Sequence, residues 1–452
     1  MPKISKKLEY EKRKNSFDEI YSVLGIPQAI AEANRCLFCW EAPCREGCPV
    51  GINIPGFIKR IAQKNFKGAA ELIYMDNPFG EVCGRICPQE KLCEEHCRAQ
   101  ALNYPISIGE LQRFVCNMRV KGEFVLTLKK KKAQKEKIAI IGAGPGGLGS
   151  AYFLSLSGYQ VDVYEKQPNA GGILRYFLPA YRLPSSVIAK EFEFIKELGV
   201  NFIFNSELGK NINLKELKKK YDAVILAIGL TKYKKLGLKG EDNKGVFYPD
   251  YVLNTIRNMK DPIPDSELGT GKILVIGGGN VAMDCADMLS RLPDTEVEIV
   301  YRRDFHNMPA WKSEVDAVLN DGVRIKFLTN PVEIISDKGK VTGLKCVRMK
   351  LSEPDSSGRP RPVPVEGSEH IIQCDAIVIA IGQDKDSELL SKEGLELSLS
   401  GELILDTNMQ TSESGVFAIG DLVTGPLTAV NAIQSGKEVS SNIYNYFESR
   451  RK

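Results

Sequence analysis

A glycine-rich turn between a strand and a helix occurs twice in this chain of 452 residues, and it constrains the fold more than any other feature. The two copies read Gly142-x-Gly144-x-x-Gly147 and Gly277-x-Gly279-x-x-Ala282. In such turns the first glycine makes the bend, the second admits a pyrophosphate to the backbone, and the third residue, Gly or Ala, lets the helix pack on the strand. From Lys137 onward, apolar strands alternate with Gly turns and amphipathic helices. We therefore predict an α/β chain with two Rossmann-like dinucleotide-binding domains.

The first copy has the surroundings that a dinucleotide site requires. A helix follows it, and a second strand, 160–164, ends at Glu165. An acid about 20 residues beyond the first glycine can accept hydrogen bonds from ribose hydroxyls. A packing turn without a ligand is the alternative, but strand, helix, second strand and acid are all in register. We expect a nucleotide here.

The C-terminal segment indicates which nucleotide the first turn holds. A strand leads into Gly420-Asp421 and then into a helix expected to begin near Leu427. This arrangement resembles the C-terminal flavin motif of the two-dinucleotide-domain flavoproteins, in which the Gly-Asp pair meets the ribityl chain and phosphate of FAD. The turns at Gly229 and Gly382 match the strand-to-domain crossovers of that superfamily. The resemblance implies FAD in the first domain and the second domain inserted into it.

Further residues are expected near the flavin. They are Pro145, Lys166, Gly172, Arg175, Arg182 and Thr428. For the three basic residues, surface ion pairs are the alternative.

The second turn lacks an acid after its second strand. That strand, predicted over 296–301, is followed by Arg302 and Arg303. Guanidinium groups suit a 2′-phosphate, so the pattern favours NADPH over NADH, although Asp304 weakens the positive field. The other expected contacts of this nucleotide are Gly277, Gly279, Asn280, Val281 and Ala282.

Nine of the 12 cysteines lie in the first 116 residues. They include two runs, Cys36-x2-Cys39-x4-Cys44-x3-Cys48-Pro49 and Cys83-x3-Cys87-Pro88-x4-Cys93-x3-Cys97. Cysteines spaced in this way bind zinc or iron–sulfur clusters, and in a reducing cytosol disulfides are disfavoured. Zinc cannot carry the electrons that two redox nucleotides would supply. The count fits two [4Fe–4S] clusters.

The motifs together resemble a known group of proteins over nearly the whole chain. The segments CLFCWEAPCREGCPVGINIPGFI, NPFGEVCGRICPQEKLCEEHC, AGGILRYFLPAYRLP and GGGNVAMD look like the small chain of NADPH-dependent glutamate synthase. The same layout is found in dihydropyrimidine dehydrogenase and its bacterial NAD-linked subunit, and in the large subunit of NADH-dependent ferredoxin:NADP oxidoreductase, an electron-bifurcating enzyme.

This resemblance implies a ligand set for each cluster. One cluster falls to Cys36, Cys39, Cys44 and Cys97, and the other to Cys48, Cys87, Cys93 and Gln112. Glutamate synthase-like chains carry Glu where Gln112 stands, so the fourth ligand follows the dihydropyrimidine dehydrogenase pattern. Cys83 would then be a spare thiol, although a count of cysteines alone would make it a ligand. Cys116, Cys285, Cys346 and Cys374 are interpreted as structural.

Composition excludes several classes of function. Lys+Arg 61 against Asp+Glu 57 gives a net charge of +4, too balanced for nucleic acid as the main partner. Only three histidines are present, and we find no Ser–His–Asp set or paired-carboxylate site. No signal peptide and no apolar run of about 20 residues is seen, so we expect a cytoplasmic protein that binds no membrane.

We predict a helical iron–sulfur domain over 1–128, a basic linker over 129–136, an FAD-binding domain over 137–265 and 375–452, and an NAD(P)H-binding domain over 266–374. The expected function is electron transfer between NADPH, FAD and two [4Fe–4S] clusters, without substrate chemistry of its own. The expected partner is a catalytic flavoprotein or iron–sulfur subunit, or ferredoxin, in a hetero-oligomer. The alternatives are an electron-entry subunit of dihydropyrimidine dehydrogenase, a ferredoxin:NAD(P) oxidoreductase subunit, and a degenerate scaffold.

Overall fold

The computed structural model describes residues 5–14, 16–259, 268, 270–354 and 358–451. The N-terminal part is helical, as predicted. Its helices are α1 (Tyr10–Arg13), α2 (Ile26–Asn34), α3 (Pro43–Glu46), α4 (Ile54–Ala62), α5 (Phe66–Tyr74), α6 (Gly80–Ile86) and α7 (Ile108–Val120), with 3₁₀ turns at Gln89–Lys91 and Arg98–Ala101. The cysteines of interest lie in or between these short elements.

The first nucleotide-binding unit is a parallel five-stranded sheet with helices packed on it. Its elements are β1 (Lys137–Ile141), α8 (Pro145–Leu156), β2 (Gln160–Tyr164), α9 (Ile173–Tyr176), α10 (Ser185–Lys196), β3 (Asn201–Ile203), α11 (Leu214–Lys220), β4 (Ala223–Leu226), α15 (Ser387–Lys392), β16 (Val416–Ala418), α16 (Asp421–Thr424) and α17 (Ala429–Arg451). The strand order is β16-β4-β1-β2-β3. The last strand of the chain thus returns to the first sheet, as an inserted second domain requires.

The second unit repeats this architecture between β4 and β16. Its elements are β6 (Val246–Phe247), α12 (Pro249–Arg257), β7 (Gly271–Ile276), α13 (Asn280–Ser290), β8 (Thr295–Val300), a 3₁₀ turn (Phe305–Asn307), α14 (Lys312–Asn320), β9 (Arg324–Lys326) and β14 (Ala376–Ile379). The parallel sheet has the order β6-β14-β7-β8-β9. An antiparallel sheet beside it contains β10 (Thr329–Asp337), β11 (Lys340–Pro354), β12 (Pro360–Pro364) and β13 (His370–Gln373).

The chain crosses between the two units at a small antiparallel pair. In it, β5 (Lys232–Tyr233) pairs with β15 (Gln383–Asp384), just after the turns at Gly229 and Gly382. Sheet membership extends the second unit over 246–379, wider than the predicted 266–374. The sequence patterns of β6 and β14 could not show this, because a short apolar strand fits either parallel sheet equally well.

The helical unit and the first nucleotide-binding unit share one hydrophobic core, which runs from Leu24 in the former to Phe447 in the latter. A buried polar cluster also joins them. Glu191 on α10 accepts hydrogen bonds from the Tyr74 hydroxyl at 2.8 Å and from the Glu81 backbone at 2.9 Å, and it pairs with Arg119. The two units are therefore packed together rather than tethered.

The basic linker also lies on the first unit. The backbone N–H of Lys131 donates to Leu156 O at 2.8 Å and that of Gln134 to Gly158 O at 2.9 Å, while the lysine side chains point mostly to solvent. Within the described residues, none of the helices combines the length and the hydropathy that a bilayer span requires.

Candidate functional site

The first glycine turn has no room for a side chain at Gly142 or Gly147. Gly142 has φ +108°, and a Cβ there would lie 2.4 Å from Ala227 O. A Cβ on Gly147 would lie 1.9 Å from Gly142 O, so the start of α8 packs directly on the turn. By contrast, a Cβ on Gly144 would meet nothing within 4 Å. The turn is thus closed toward the protein and open at Gly144, where a ligand must approach.

Glu165 holds this turn to the end of β2. It is 5% exposed, and its two carboxylate oxygens accept hydrogen bonds from the Ala143 and Gln167 backbone N–H groups, each at 2.8 Å. Burial raises the pKa of Glu165, although these two N–H groups act in the opposite sense. A carboxylate oxygen can accept more than one hydrogen bond, so the same group can also hold a ribose hydroxyl.

The C-terminal helix completes the first site. A Cβ on Gly436 of α17 would lie 2.6 Å from Gly146 O, so α17 and α8 cross in close contact. Gly420 has φ +67° and precedes Asp421, which is partly buried and whose pKa is raised to about 6 by desolvation. Thr428 bonds with Asn431 at the start of α17. Two helix N-termini and the Gly-Asp turn therefore flank the opening at Gly144, and this arrangement suits a dinucleotide phosphate.

Of the other residues predicted near the flavin, Pro145 begins α8 and Lys166 is exposed. Gly172 lies against the turn, because a Cβ on it would be 2.8 Å from Gly144 Cα. Arg175 donates to Ala170 O at 2.6 Å. Arg182 is engaged instead with two carboxylates of the second unit, Asp284 and Glu314.

The second turn repeats the geometry of the first. Gly277 has φ +144°, and a Cβ there would lie 2.2 Å from Ala380 O. A Cβ on Gly279 would meet nothing within 4 Å. Asn280 accepts a hydrogen bond from the Trp311 backbone at 2.9 Å, while Ala282 is buried and Val281 is partly buried. Like the first turn, this turn packs against the protein at its first glycine and is open to a ligand at its second glycine.

The second turn also contains a contact that sequence reasoning missed. The ring of Tyr301 lies on Gly278, where a Cβ would come within 2.5 Å of it, and its hydroxyl donates to Asn307 O at 2.6 Å. Burial raises the pKa of Tyr301, and nearby arginines act in the opposite sense. Nothing in the local pattern could reveal this, because the aromatic reads as the last residue of a strand.

The two arginines after this strand have different surroundings. Arg302 is exposed. Arg303 is 3% exposed, and its Nε donates to Pro360 O at 2.9 Å. The sequence predicted that both arginines bind the 2′-phosphate, but of the two only Arg302 has a solvent-facing guanidinium.

In the helical unit, Cys36, Cys39, Cys44 and Cys97 line one pocket. Leu37, Pro55 and Ile106 are also in its wall. Burial and the neighbouring thiols raise the pKa of Cys44 to about 12, and the Ile106 backbone donates to Cys97 Sγ at 3.4 Å. The two sequence runs therefore meet in space, in the grouping that the family resemblance implies.

The remaining four cysteines of the two runs form a second group: Cys48, Cys83, Cys87 and Cys93. The neighbouring Cys83 thiol and burial raise the pKa of Cys87, and Cys93 and Cys48 raise it further. Burial raises the pKa of the Cys48 thiol, and the backbone N–H groups of residues 50–52 act in the opposite sense. Cys83 therefore lies beside the predicted ligands, at the middle of the short helix α6. The thiol chemistry of both groups suits thiolate-bound iron.

Gln112, the predicted fourth ligand, is buried on α7, and its amide nitrogen donates to Gly80 O at 2.8 Å. Within the described residues, no three His, Cys, Asp or Glu side chains converge as they would around a single metal ion. Cys116, Cys285, Cys346 and Cys374 are buried outside both groups.

Comparison with known proteins assigns the family. A family model described as pyridine nucleotide-disulphide oxidoreductase matches residues 136–436, and one described as dihydropyrimidine dehydrogenase domain II, 4Fe-4S cluster, matches residues 12–124. The small chain of NADPH-dependent glutamate synthase from Escherichia coli is 36% identical, with 96% of this chain and 95% of that protein covered. This chain belongs to the glutamate synthase small-chain family. The fold class and the family resemblance expected from the sequence are confirmed.

Other relatives are longer. The beta subunit of NADP⁺-dependent formate dehydrogenase from Moorella thermoacetica is 39% identical over 90% of this chain, which spans 60% of its length. The beta subunit of NADPH–Fe(3+) oxidoreductase from Geobacter sulfurreducens is 35% identical over 92% of this chain, with 65% of its own length covered.

Solved structures agree on the fold of the two nucleotide-binding units. FprA from Mycobacterium tuberculosis in complex with NADPH has a TM-score of 0.58 at 22% identity, covering 70% of this chain and 86% of that one. Thioredoxin reductase from T. acidophilum has a TM-score of 0.52 at 21% identity, covering 70% and 100%. The chain is an FAD- and NAD(P)H-dependent 4Fe–4S oxidoreductase that transfers electrons. The three curated relatives described above are a small chain and two beta subunits.

Proposed function

We propose that this chain is the NADPH-oxidising electron-entry subunit of a cytoplasmic hetero-oligomeric oxidoreductase, and that it passes electrons to a partner subunit through two [4Fe–4S] clusters. One observation carries the proposal: two open glycine turns and two groups of cysteines lie in a single packed chain. When bound, NADPH would supply a hydride to the flavin, and the clusters would carry single electrons onward.

The residues of the chain bind and orient these groups. Gly144, with the N-termini of α8 and α17, would receive the FAD phosphates, and Glu165 would hold its ribose. Gly279 and the N-terminus of α13 would receive the phosphates of the second nucleotide. Arg302, the exposed arginine after β8, would contact the 2′-phosphate. The first cluster would be held by Cys36, Cys39, Cys44 and Cys97, and the second by Cys48, Cys87, Cys93 and Gln112.

A specific residue favours a second candidate for the partner. Residue 112 is Gln, which by the family resemblance fits the dihydropyrimidine dehydrogenase pattern rather than the Glu of glutamate synthase-like chains. Two of the relatives are beta subunits of other enzymes, an NADP⁺-dependent formate dehydrogenase and an NADPH–Fe(3+) oxidoreductase. The second candidate is therefore an electron-entry subunit for a complex other than glutamate synthase, with ferredoxin or a pyrimidine-reducing chain among the acceptors.

Native purification of the tagged chain from its own cells tests the proposal. We expect a stoichiometric partner that carries its own redox centre, and we expect the isolated chain to reduce an artificial dye with NADPH while lacking the reaction of the whole complex. The partner identified by mass spectrometry decides between the two candidates. A chain that purifies alone and is fully active with a diffusible acceptor would contradict a subunit role.

A further inference from the structure

Residues 48–52, which we call the Cys48 loop, have two backbone carbonyls bound to cations. The loop is a tight turn, in which the Gly51 N–H donates to Cys48 O at 2.8 Å. The Lys437 ammonium donates to Val50 O at 2.9 Å, and Arg45 Nε donates to Gly51 O at 3.1 Å. Two successive peptide units of the Cys48 loop therefore have a cation at their carbonyl end.

The N–H ends of the same two peptide units act on the Cys48 thiol. A peptide unit joins the carbonyl of one residue to the N–H of the next, so these N–H groups belong to Gly51 and Ile52. They oppose the effect of burial on the pKa of Cys48, which means that they stabilise its thiolate. A cation bound to a carbonyl polarises the peptide and strengthens its N–H as a donor. The charge of Lys437 is therefore felt at the sulfur through the peptide between Val50 and Gly51.

Lys437 reaches the Cys48 loop from a different unit of the fold. It lies on α17, the helix that begins beside the opening at Gly144, and its ammonium also pairs with Asp76, just beyond α5, at 2.7 Å. Val50 is 2% exposed, whereas the side chains of Lys437 and Asp76 are 34% and 26% exposed. Water screens a partly exposed charge, so its effect on a neighbouring redox centre is moderate.

We propose that Lys437 raises the reduction potential of the second cluster, the one expected to include Cys48 among its ligands. The inference rests on the proposed function. Reduction adds one negative charge to a cluster, and net charge and hydrogen bonds to the sulfurs set the potential at which this happens. A cation bound to the Cys48 loop favours the reduced state, which makes the cluster a better acceptor of electrons from the reduced flavin. Asp76 moderates this effect, because it partly neutralises the ammonium.

Anaerobic redox titration of the holoenzyme tests this role, with the clusters followed by low-temperature electron paramagnetic resonance and the flavin by absorption. In Lys437→Gln, we expect the ratio of reduced to oxidised cluster at a fixed solution potential to fall about three- to tenfold for one of the two clusters. A tenfold change corresponds to about 59 mV for a one-electron couple. The other cluster and the flavin should titrate as in wild type, with the iron content unchanged.

Companion variants separate an electrostatic role from a structural one. Lys437→Arg keeps the positive charge and should stay within about twofold of wild type. Asp76→Asn removes the counter-charge and should shift the same cluster about two- to threefold in the opposite direction, toward easier reduction. If the ion pair were only structural, its loss would have the same effect from either side. Lys392→Gln, an exposed lysine paired with Glu388 at 2.6 Å on α15, is the matched control and should match wild type.

Unchanged cluster potentials in Lys437→Gln, or an equal fall in both, would overturn the proposal. A shift of the same sign in Lys437→Gln and Asp76→Asn would overturn it as well. If Lys437→Gln loses iron, Asp76→Asn decides alone, because only a rise in the potential of one cluster agrees with the proposal. The proposed function fails separately, by a wild type that contains no iron or whose flavin and clusters NADPH does not reduce.

Discussion

Arg302 and Arg303 are neighbours in sequence but differ in what they can do. Arg302 is exposed at the end of β8, whereas Arg303 is buried and donates to the backbone of Pro360. The sequence predicted that both bind a 2′-phosphate, because a pattern of residue types does not show which side chain the following turn covers. The structure therefore gives the two residues separate expected phenotypes.

We predict that Arg302→Ala raises KM for NADPH about ten- to a hundredfold, the equivalent of ~1.5–3 kcal/mol for a charge-assisted contact. KM for NADH and the maximal rate should change little, because the 2′-phosphate is remote from the reacting ring. Arg303→Ala should instead lower the melting temperature, because it leaves a gap and a carbonyl without its donor. Steady-state dye reduction and thermal melts measure these effects. A wild type that prefers NADH, or an Arg302→Ala variant unchanged with NADPH, would contradict the assignment.

At the scale of elements, the bounds of the strands were predicted more closely than the division of the chain into helices. The bounds expected for β2 are those observed, and the strand predicted over 296–301 is β8 at Thr295–Val300, because short apolar runs flanked by turn residues define a strand on both sides. The residue pattern over 58–73 predicts one helix-like stretch, but the structure divides it between α4 and α5. Lys64 has φ +60°, and the Asn65 side chain accepts a hydrogen bond from the Gly68 backbone, so Asn65 caps a new helix. The apolar period continued across this break, which concealed it.

Residues on two different helices are candidates for the fourth ligand of the second cysteine group. Cys83 on α6 lies close enough to raise the pKa of Cys87, whereas Gln112 on α7 is expected from family resemblance. We predict that Cys83→Ser retains about eight irons per chain, whereas Cys97→Ser, which removes a proposed ligand of the first group, retains about four. Cys116→Ser, a buried cysteine outside both groups, is the matched control. Iron analysis and low-temperature electron paramagnetic resonance report the loss. Equal loss from Cys83→Ser and Cys97→Ser would show that α6 supplies a ligand.

For the whole molecule, the order of units and the insertion of one nucleotide-binding unit into the other followed from two glycine turns and the C-terminal Gly-Asp pair. The contacts between units did not. Arg182, Asp284 and Glu314 are widely separated in sequence, and a single sequence contains no signal that brings them together. Likewise, Glu191 reads as a polar residue of a surface helix, yet it is fully buried between two units. Local pattern predicts elements, whereas long-range polar contacts require coordinates.

The central claim is that one chain holds FAD and two [4Fe–4S] clusters and accepts electrons from NADPH. Anaerobic titration of the purified brown-yellow protein with NADPH, with FAD, iron and zinc measured on the same sample, tests it most directly. We predict about one FAD and about eight irons per chain, with bleaching of both flavin and cluster absorption as NADPH is added. Stoichiometric zinc with iron near zero, or clusters that NADPH leaves oxidised while the flavin is reduced, would contradict the account.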